Sequence, residues 1–470
     1  MVTSPKDSRM RKNLARYCLL VGVTVSSLSV ARAETLTSST ILAQATQAAL
    51  EIDPITIGTG PFEVIARNYV LSRDLNGAEQ IIRKIGDRYS SQPPTTRMPL
   101  GLEASSKQIG MVDLLVRLAG DAMRVGLNQW ATEQLNSASA IAHKESDASA
   151  RYLCFLTLMR AYGQLGFLDE KNRMAQEAAR SLEAIPSSDE NVFVRESGLL
   201  GLAETELNLG NRVQAQVYLA ILADRVRTFK DRGLKVTVLP WLAWLYGRSG
   251  NEEAARAALS DVVKFRIVND DPERKIWVNF KNCWDFARTA QLLAMAGKTT
   301  VARQILAESR KMLAAIPAGE EGSRSGAWQE IVRALVALGD LSLAVQSEVN
   351  IADLMLPDPR WEIVNGFFKS GQTEQAGRLA VKYGLQLELG LLEAQAGNLQ
   401  KAFAILKDVQ DSGGSDVLQT KAHLLVHVYG IEKAWDWAVH HQSAWRRADA
   451  LIGLSDCLIP IQAHLCHGSR

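Results

Sequence analysis

Apolar residues recur with a helical period along most of the chain, and the clearest case lies between residues 239 and 262. Leu239, Leu242, Ala243 and Tyr246 occupy positions i, i+3, i+4 and i+7. Side chains at that spacing form one face of an α-helix. The pattern therefore predicts a helix that buries this face and ends shortly after Tyr246.

A second helix is predicted directly after the first. Gly250 supplies a residue that adopts a left-handed C-terminal cap without strain, and Asn251 is a favoured N-cap. Ala255 and Leu259 then form the inner face of the next helix. Because Ala243 and Ala255 are small, the two helices can approach closely and form an antiparallel hairpin.

The spacing of Gly250 and Ala255 is repeated along the chain. A Gly is followed five residues later by an Ala at Gly126, Gly210, Gly250, Gly297, Gly339, Gly371 and Gly397. A degenerate copy has Arg73 in the Gly position, and Gly166 and Gly430 mark two weaker copies. A supersecondary unit repeated in this way predicts a solenoid, here of about ten hairpins.

The unit from Leu239 to Leu259 resembles the tetratricopeptide repeat in its order of large, large, small, aromatic, Gly, Ala and large residues. The resemblance covers roughly residues 61–455. It implies an all-α, right-handed α-α superhelical solenoid with a concave groove lined by the first helix of each hairpin. The Pro that closes each repeat of that family is mostly missing, and many units are longer than the usual repeat. Longer helices or inserted loops account for the extra length, and Arg266–Val278 and Pro317–Gly326 are the candidates for such loops.

The resemblance also implies which residues face the groove, namely those just after the small residue and six positions before each Gly. These residues are Arg67, Arg160, Glu204, Trp244, Gln291 and Arg333. They mix charge, amide and aromatic character, so they indicate no ligand class. The alternative is that they are ordinary solvated residues. Most of the ten tryptophans are expected in the core, with Trp244 as the exposed exception.

The N-terminal residues have the features of a secretory signal. A basic segment precedes an apolar run from Cys18 to Val30, and Ala31 and Ala33 provide small residues at a cleavage site. The pattern predicts cleavage between Ala33 and Glu34 and a secreted or periplasmic protein. The alternative is a retained anchor, although the run is shorter than the roughly 20 residues that span a bilayer.

The predicted organisation is a signal peptide (1–33), a flexible leader (34–60) with room for one helix, longer-spaced repeats (61–338), tighter repeats (339–455) and a tail (456–470). Residues 1–33 carry six basic residues and one acidic residue, so they contribute +5 to the total of +2, leaving −3 for the remainder. A chain of that charge without a basic stripe does not indicate a nucleic-acid partner. The expected partner is a protein or peptide, with no transmembrane segment after cleavage.

Candidate chemistry is sparse. His423 and His427 lie at i, i+4 and are weak candidates for a structural zinc site, but no acidic residue of a metalloprotease motif lies between them. Gly297-Lys298-Thr299 lacks the earlier Gly of a phosphate-binding loop. Cys457 and Cys466 are close enough in sequence to form a disulfide, or they remain free. We therefore expect no metal and no cofactor.

These observations predict an exported, non-catalytic repeat scaffold that binds its partner through a concave groove. The alternative is a helical-toroid enzyme or glycan-binding protein that acts on envelope polysaccharide. The enzyme would require clustered carboxylates that face one cavity.

Overall fold

The computed structural model describes residues 36–52, 60–91, 106–186, 189–266, 272–348, 350–351, 359–407, 415–459 and 462. Within these residues the chain forms 22 α-helices and no β-strand. The predicted signal peptide with its cleavage site, and Cys466 of the tail, lie outside the described residues. None of the helices in the described part is long and apolar enough to span a bilayer.

The chain divides into two compact units, Met1–Arg88 with Glu393–Arg470, and Tyr89–Leu392. The first unit contains α1 (Ser38–Leu50), α2 (Gly60–Leu71), most of α3 (Leu75–Ser91), α19 (Leu399–Leu406), α20 (Ser415–Tyr429), α21 (Ile431–Val439) and α22 (Ala444–Leu458). The second unit contains α4 (Ser106–Arg124), α5 (Asn128–Lys144), α6 (Ala148–Gln164), α7 (Leu168–Ala184), α8 (Asp189–Asn208), α9 (Arg212–Thr228), α10 (Arg232–Ser249), α11 (Glu252–Arg266), α12 (Pro272–Met295), α13 (Thr299–Ala314), α14 (Glu321–Ala337), α15 (Leu341–Glu348), α16 (Pro359–Lys369), α17 (Thr373–Tyr383) and most of α18 (Gln386–Gln395).

The second unit is a stack of helical hairpins. Each first helix, such as α10, packs against its own second helix, α11, and also against the next first helix, α12. The same two kinds of contact join α4, α6, α12 and α14 to their neighbours. The predicted all-α solenoid is therefore confirmed.

The Gly positions end the first helices as predicted. At Gly250 the backbone adopts φ 78° and ψ 11°, and the N–H groups of Gly250 and Asn251 donate to the carbonyls of Gly247 and Tyr246. Positive φ occurs at all seven repeated Gly residues, at Gly166 and Gly430, and at Arg73. These ten positions each join two successive helices, as does Gly384, which also has positive φ and which the repeat did not mark; the count agrees with the prediction of about ten hairpins.

The Ala positions are the close contacts between paired helices. The alanines five residues after each marked turn have no exposed surface: Ala78, Ala131, Ala215, Ala255, Ala302, Ala344, Ala376 and Ala402. After Gly166 the same position holds Lys171, which is buried and lies 2.8 Å from Glu206 Oε1. The buried Glu206 carboxylate on α8 thus balances the positive charge of Lys171, which occupies the position of the alanine in the other copies.

The structure describes helices in three segments for which the sequence left alternatives open. Pro272–Met295 and Glu321–Ala337 are helices, so most of each candidate loop belongs to a first helix. Ser38–Leu50 of the predicted leader is a helix that packs against α22, and its buried residues include Ile41 and Leu42.

The first unit joins residues from the two ends of the chain. Arg447 of α22 forms an ion pair with Glu51, which follows α1. Asn68 Nδ2 of α2 donates to Asp456 Oδ1 at 2.7 Å and to Ser455 Oγ at 2.9 Å on α22. The leader helix α1 packs against α22 and also against α2, so helices from both ends of the chain cover its buried face.

Candidate functional site

A cavity of about 390 Å³ lies on the first-helix side of the second unit. Its walls come from three successive first helices, α8, α10 and α12. The lining residues are Ser197, Leu200, Gly201, Glu204, Val238, Trp241, Trp244, Leu245, Arg248, Arg288, Gln291, Leu292 and Met295. It thus contains Glu204, Trp244 and Gln291, three of the six residues that the sequence assigned to a groove. We call it the Trp241 cavity.

A row of indole rings forms one wall of the Trp241 cavity. The ring centroids of Trp241 and Trp244 are 4.7 Å apart, and those of Trp244 and Trp284 are 5.1 Å apart, both edge to face. Trp244 Nε1 donates to the Asp285 carbonyl at 3.2 Å. Trp244 is only 6% exposed, so the prediction that it is the exposed tryptophan is wrong. Trp241 is 42% exposed instead, because it is held at the outer end of the row.

The rim of the cavity is polar. Arg248 Nη1 lies 3.3 Å from Glu204 Oε1, and Arg248 also donates to Asn208 Oδ1. Arg288 Nη1 donates to Gln291 Oε1 at 3.0 Å. Met295, which is 70% exposed, adds an apolar group at the end of α12. The rim therefore offers two guanidinium groups and one carboxylate beside exposed apolar surface.

Close packing on α8 requires glycine in one wall of the cavity. A Cβ atom on Gly201 would lie 2.4 Å from the hydroxyl oxygen of Tyr152. That hydroxyl donates to the Gly198 carbonyl at 2.8 Å, and burial raises its pKa. The tyrosine of α6 therefore occupies the space that a side chain at position 201 would need.

A buried charge cluster lies behind the tryptophan row. Arg266 Nη1 is 2.5 Å from Asp285 Oδ2 and donates to Asn282 Oδ1 at 3.0 Å. Burial raises the pKa of Asp285 and lowers that of Lys281. The Lys281 ammonium lies 4.3 Å from the centroid of Trp284. Asp285 and Lys281 do not line the Trp241 cavity, so the cluster supports the wall.

The next first helix, α14, carries an ion pair where α10 carries tryptophans. Arg333 is 7% exposed, and its guanidinium pairs with Glu330 and lies 2.8 Å from Glu362 Oε1. Burial raises the pKa of Glu330. Arg333 is one of the predicted groove residues, and this pairing buries its side chain.

The remaining predicted groove residues lie outside the Trp241 cavity. Arg160 of α6 is exposed, and its guanidinium donates to Thr205 Oγ1 at 3.5 Å. Arg67 belongs to α2 of the other unit and is half-buried.

The C-terminal histidines and cysteines take part in structural contacts. His423 Nε2 lies 3.0 Å from Asp456 Oδ2, and His427 Nε2 lies 3.3 Å from Gln400 Nε2. No group of three potential ligands for a metal ion occurs among the residues that the structure describes. Cys457 is disulfide-bonded, and Cys154 and Cys283 are buried free thiols.

Sequence reasoning missed Trp241, Arg248, Arg288 and Met295. The repeat contained the signal, because a helix presents several positions to one face. Gly201, Trp241 and Arg288 each lie nine residues before the Gly that ends their helix. Arg248 and Met295 each lie two residues before that Gly. Together with the position six residues before the Gly, these positions form one face of the helix. Considering all three repeat positions would have identified the cavity wall.

Comparisons with known proteins assign no family. No family model matches the chain, and no curated protein matches it. Ton1535 from Thermococcus onnurineus NA1 is similar at 15% identity and a TM-score of 0.34, over 82% of this chain and 97% of that one. A circular tandem repeat protein with novel repeat topology gives 14% identity and a TM-score of 0.24, over 92% of this chain and 98% of that one. Both TM-scores are below 0.5, so neither similarity indicates a family or a function.

Proposed function

We propose that this protein is an exported, non-catalytic repeat scaffold that binds a protein or peptide partner at the Trp241 cavity. One observation carries the proposal: three successive first helices surround a cavity that has exposed apolar groups and a charged rim. A hairpin stack presents an extended surface, which suits a partner in extended or helical form. Trp241 and Met295 provide the apolar anchors, and Arg248 and Arg288 provide hydrogen-bond donors.

Export is supported by two features. The N-terminal residues fit a signal peptide that is cleaved between Ala33 and Glu34. Cys457 is disulfide-bonded, and disulfides persist mainly in oxidising compartments such as the periplasm or the extracellular space. Mass spectrometry of the protein purified from its native cell checks this part, since retention of residues 1–33 would contradict it.

The binding site is tested by photo-crosslinking in the native cell. A photoreactive amino acid at Met295 should give one dominant adduct, and the same group at Val213 should not. Val213 is a matched control because it is 77% exposed, against 70% for Met295, and lies on the second helix α9. Adducts that persist at Met295 after Trp241→Ala would contradict the proposed site.

A glycan is the second candidate ligand, and the exposed indole of Trp241 favours it, since an exposed tryptophan ring stacks on the apolar face of a sugar. The enzymatic version is less well supported, because Glu204 is the only carboxylate among the described residues that line the cavity. Binding of oligosaccharides from the native envelope, measured by calorimetry on wild type and Trp241→Ala, distinguishes this candidate from a peptide.

A further inference from the structure

A second cavity, of about 290 Å³, lies between α9, α10 and α11. None of its lining residues lines the Trp241 cavity, although α10 contributes to both. We call it the Phe265 pocket. Its volume has room for roughly ten water-sized groups at about 30 Å³ each.

The floor of the Phe265 pocket is apolar. Val226, Leu239, Leu242 and Tyr246 are buried and contribute to it. Four alanines line its sides and leave the space open because they have no side chain beyond Cβ: Ala223, Ala254, Ala257 and Ala258. An aliphatic chain of a few carbons would therefore replace water against apolar surface, which is favourable.

The charge at the pocket is positive. Arg227, Lys235 and Lys264 line it, and Asp261 is the only carboxylate among the described lining residues. The ammonium groups of Lys235 and Lys264 lie 5.0 and 5.7 Å from the centroid of the Phe265 ring. Both ammonium groups thus lie close to the same ring, so this end of the pocket is cationic and suits an anion.

These two lysines form no ion pair with a carboxylate among the residues that the structure describes. Lys235 Nζ donates to the Arg227 carbonyl at 3.2 Å, which accounts for one of its three protons. Arg232 donates to the carbonyls of Phe265 and Lys264 at the C-terminal end of α11.

We propose that the Phe265 pocket binds a small anionic amphiphile, with a carboxylate or phosphate head at Lys235 and Lys264 and an aliphatic chain on the apolar floor between the alanine-lined sides. A free fatty carboxylate and an anionic lipid headgroup share this chemistry. The site is independent of the ligand at the Trp241 cavity.

The test is calorimetric titration of the full chain with decanoate and decyl phosphate below their micelle concentrations. Decanol and decyltrimethylammonium serve as neutral and cationic analogues. The expected result is that both anions bind at least about tenfold more tightly than the other two. Equal binding of decanol, or no heat with either anion, would overturn the proposal.

Vesicles distinguish the two sources of the anion. Co-sedimentation with vesicles that contain phosphatidylglycerol, but not with pure phosphatidylcholine vesicles, would indicate a membrane lipid. Binding of free decanoate without co-sedimentation would indicate a free carboxylate. Either outcome supports an anion site in the Phe265 pocket and identifies where its ligand comes from.

Two kinds of variant locate the site. Lys235→Glu combined with Lys264→Glu reverses the charge, and Ala257→Trp fills the space. Each should weaken decanoate binding at least about tenfold. The matched controls are Lys311→Glu, an exposed lysine on α13, and Ala220→Trp, an exposed alanine on α9 outside the pocket. The controls and Trp241→Ala should leave binding unchanged.

Circular dichroism and the unfolding midpoint show whether each variant is folded. If a folded charge-reversal or pocket-filling variant binds decanoate as wild type does, the proposed site is wrong. A variant that fails to fold is replaced by Lys264→Gln, which removes one charge at an exposed position. Unchanged affinity in that variant at low salt would equally overturn the proposal.

Discussion

The Trp241 cavity and helix α14 use the same two repeat positions with opposite results. Nine and six residues before their Gly, α10 carries Trp241 and Trp244, whereas α14 carries Glu330 and Arg333. The tryptophans pack edge to face and leave an open cavity beside α8 and α12. On α14, Arg333 forms ion pairs with Glu330 and Glu362, and Arg333 and Glu330 are both buried. The repeat decides which positions share a face, and the side chains decide whether that face is a binding surface or an internal ion pair.

The largest expected effect comes from breaking the ion pair. Arg333→Ala leaves the Glu330 carboxylate buried without its main partner, and such losses cost about 3–5 kcal/mol. Arg248→Ala at the cavity rim removes an exposed pair with Glu204 and should cost about 1 kcal/mol or less. Urea unfolding of both variants measures the difference. Equal losses would show that the two regions do not differ in the way that their burial indicates.

The second effect concerns binding at the cavity. Trp241→Ala should weaken the crosslinked partner's affinity by about 2 kcal/mol, or roughly 30-fold, as is typical of an aromatic hot spot. Trp277→Ala is the control, because Trp277 is 53% exposed on α12 and does not line the cavity. Affinity of the purified partner is measured by calorimetry. A similar loss in both variants would assign the effect to general surface hydrophobicity.

A third, smaller effect tests the close contact that forms the cavity wall. Gly201→Ala places a methyl group against the Tyr152 hydroxyl and should cost about 1–3 kcal/mol. Adding Tyr152→Phe removes that oxygen, so the double variant should lose less than the sum of the single variants. Gly120→Ala on α4 has no atom within 4 Å of the added Cβ and should be neutral or stabilise by up to about 1 kcal/mol. Additive losses in the unfolding free energy would contradict the contact.

The smallest expected effect is a change in pH dependence. Burial raises the pKa of Glu330, so the folded state retains a proton that the unfolded state releases. This group therefore lowers stability as pH rises from its ordinary pKa of about 4.3 through the raised value. Glu330→Gln should show a smaller decrease in unfolding free energy over that window than wild type. Glu374→Gln is the control, because the Glu374 side chain is 87% exposed, and its curve of unfolding free energy against pH should follow that of wild type. If the curve for Glu330→Gln also follows that of wild type, the raised pKa is contradicted.

Local signals explain how much of the fold could be predicted. Gly250 and Ala255 act within a few residues, one as a left-handed helix end and the other as a close contact, so their positions are readable from spacing. The sequence left open whether the extra length near Arg266–Val278 is a loop or a longer helix, because no local signal shows that a first helix is lengthened to 24 residues. The burial of the helix Ser38–Leu50 was not predictable, because it packs against α22, some 400 residues later in the chain.

The candidate site was predicted only in part for a similar reason. Glu204, Trp244 and Gln291 were found because they share one repeat position, and all three line the cavity. The exposure of these side chains was not predictable from the repeat. The burial of Trp244, for example, depends on Trp241 and Trp284 on either side of it. Arg333 occupies the same position but is buried by Glu330 and Glu362, and Glu362 comes from a different helix, α16.

The sequence by itself determined the all-helical class, ten of the eleven turns at positive φ among the described residues, and the buried alanines of the second helices. These features depend on backbone conformation and on side-chain size within one hairpin. The tertiary structure alone decided that the two chain ends share a unit, that Trp241 rather than Trp244 is exposed, and that Arg333 is buried and forms ion pairs. Those outcomes depend on contacts between hairpins, where the free energy of a side chain is set by neighbours that its own repeat does not specify.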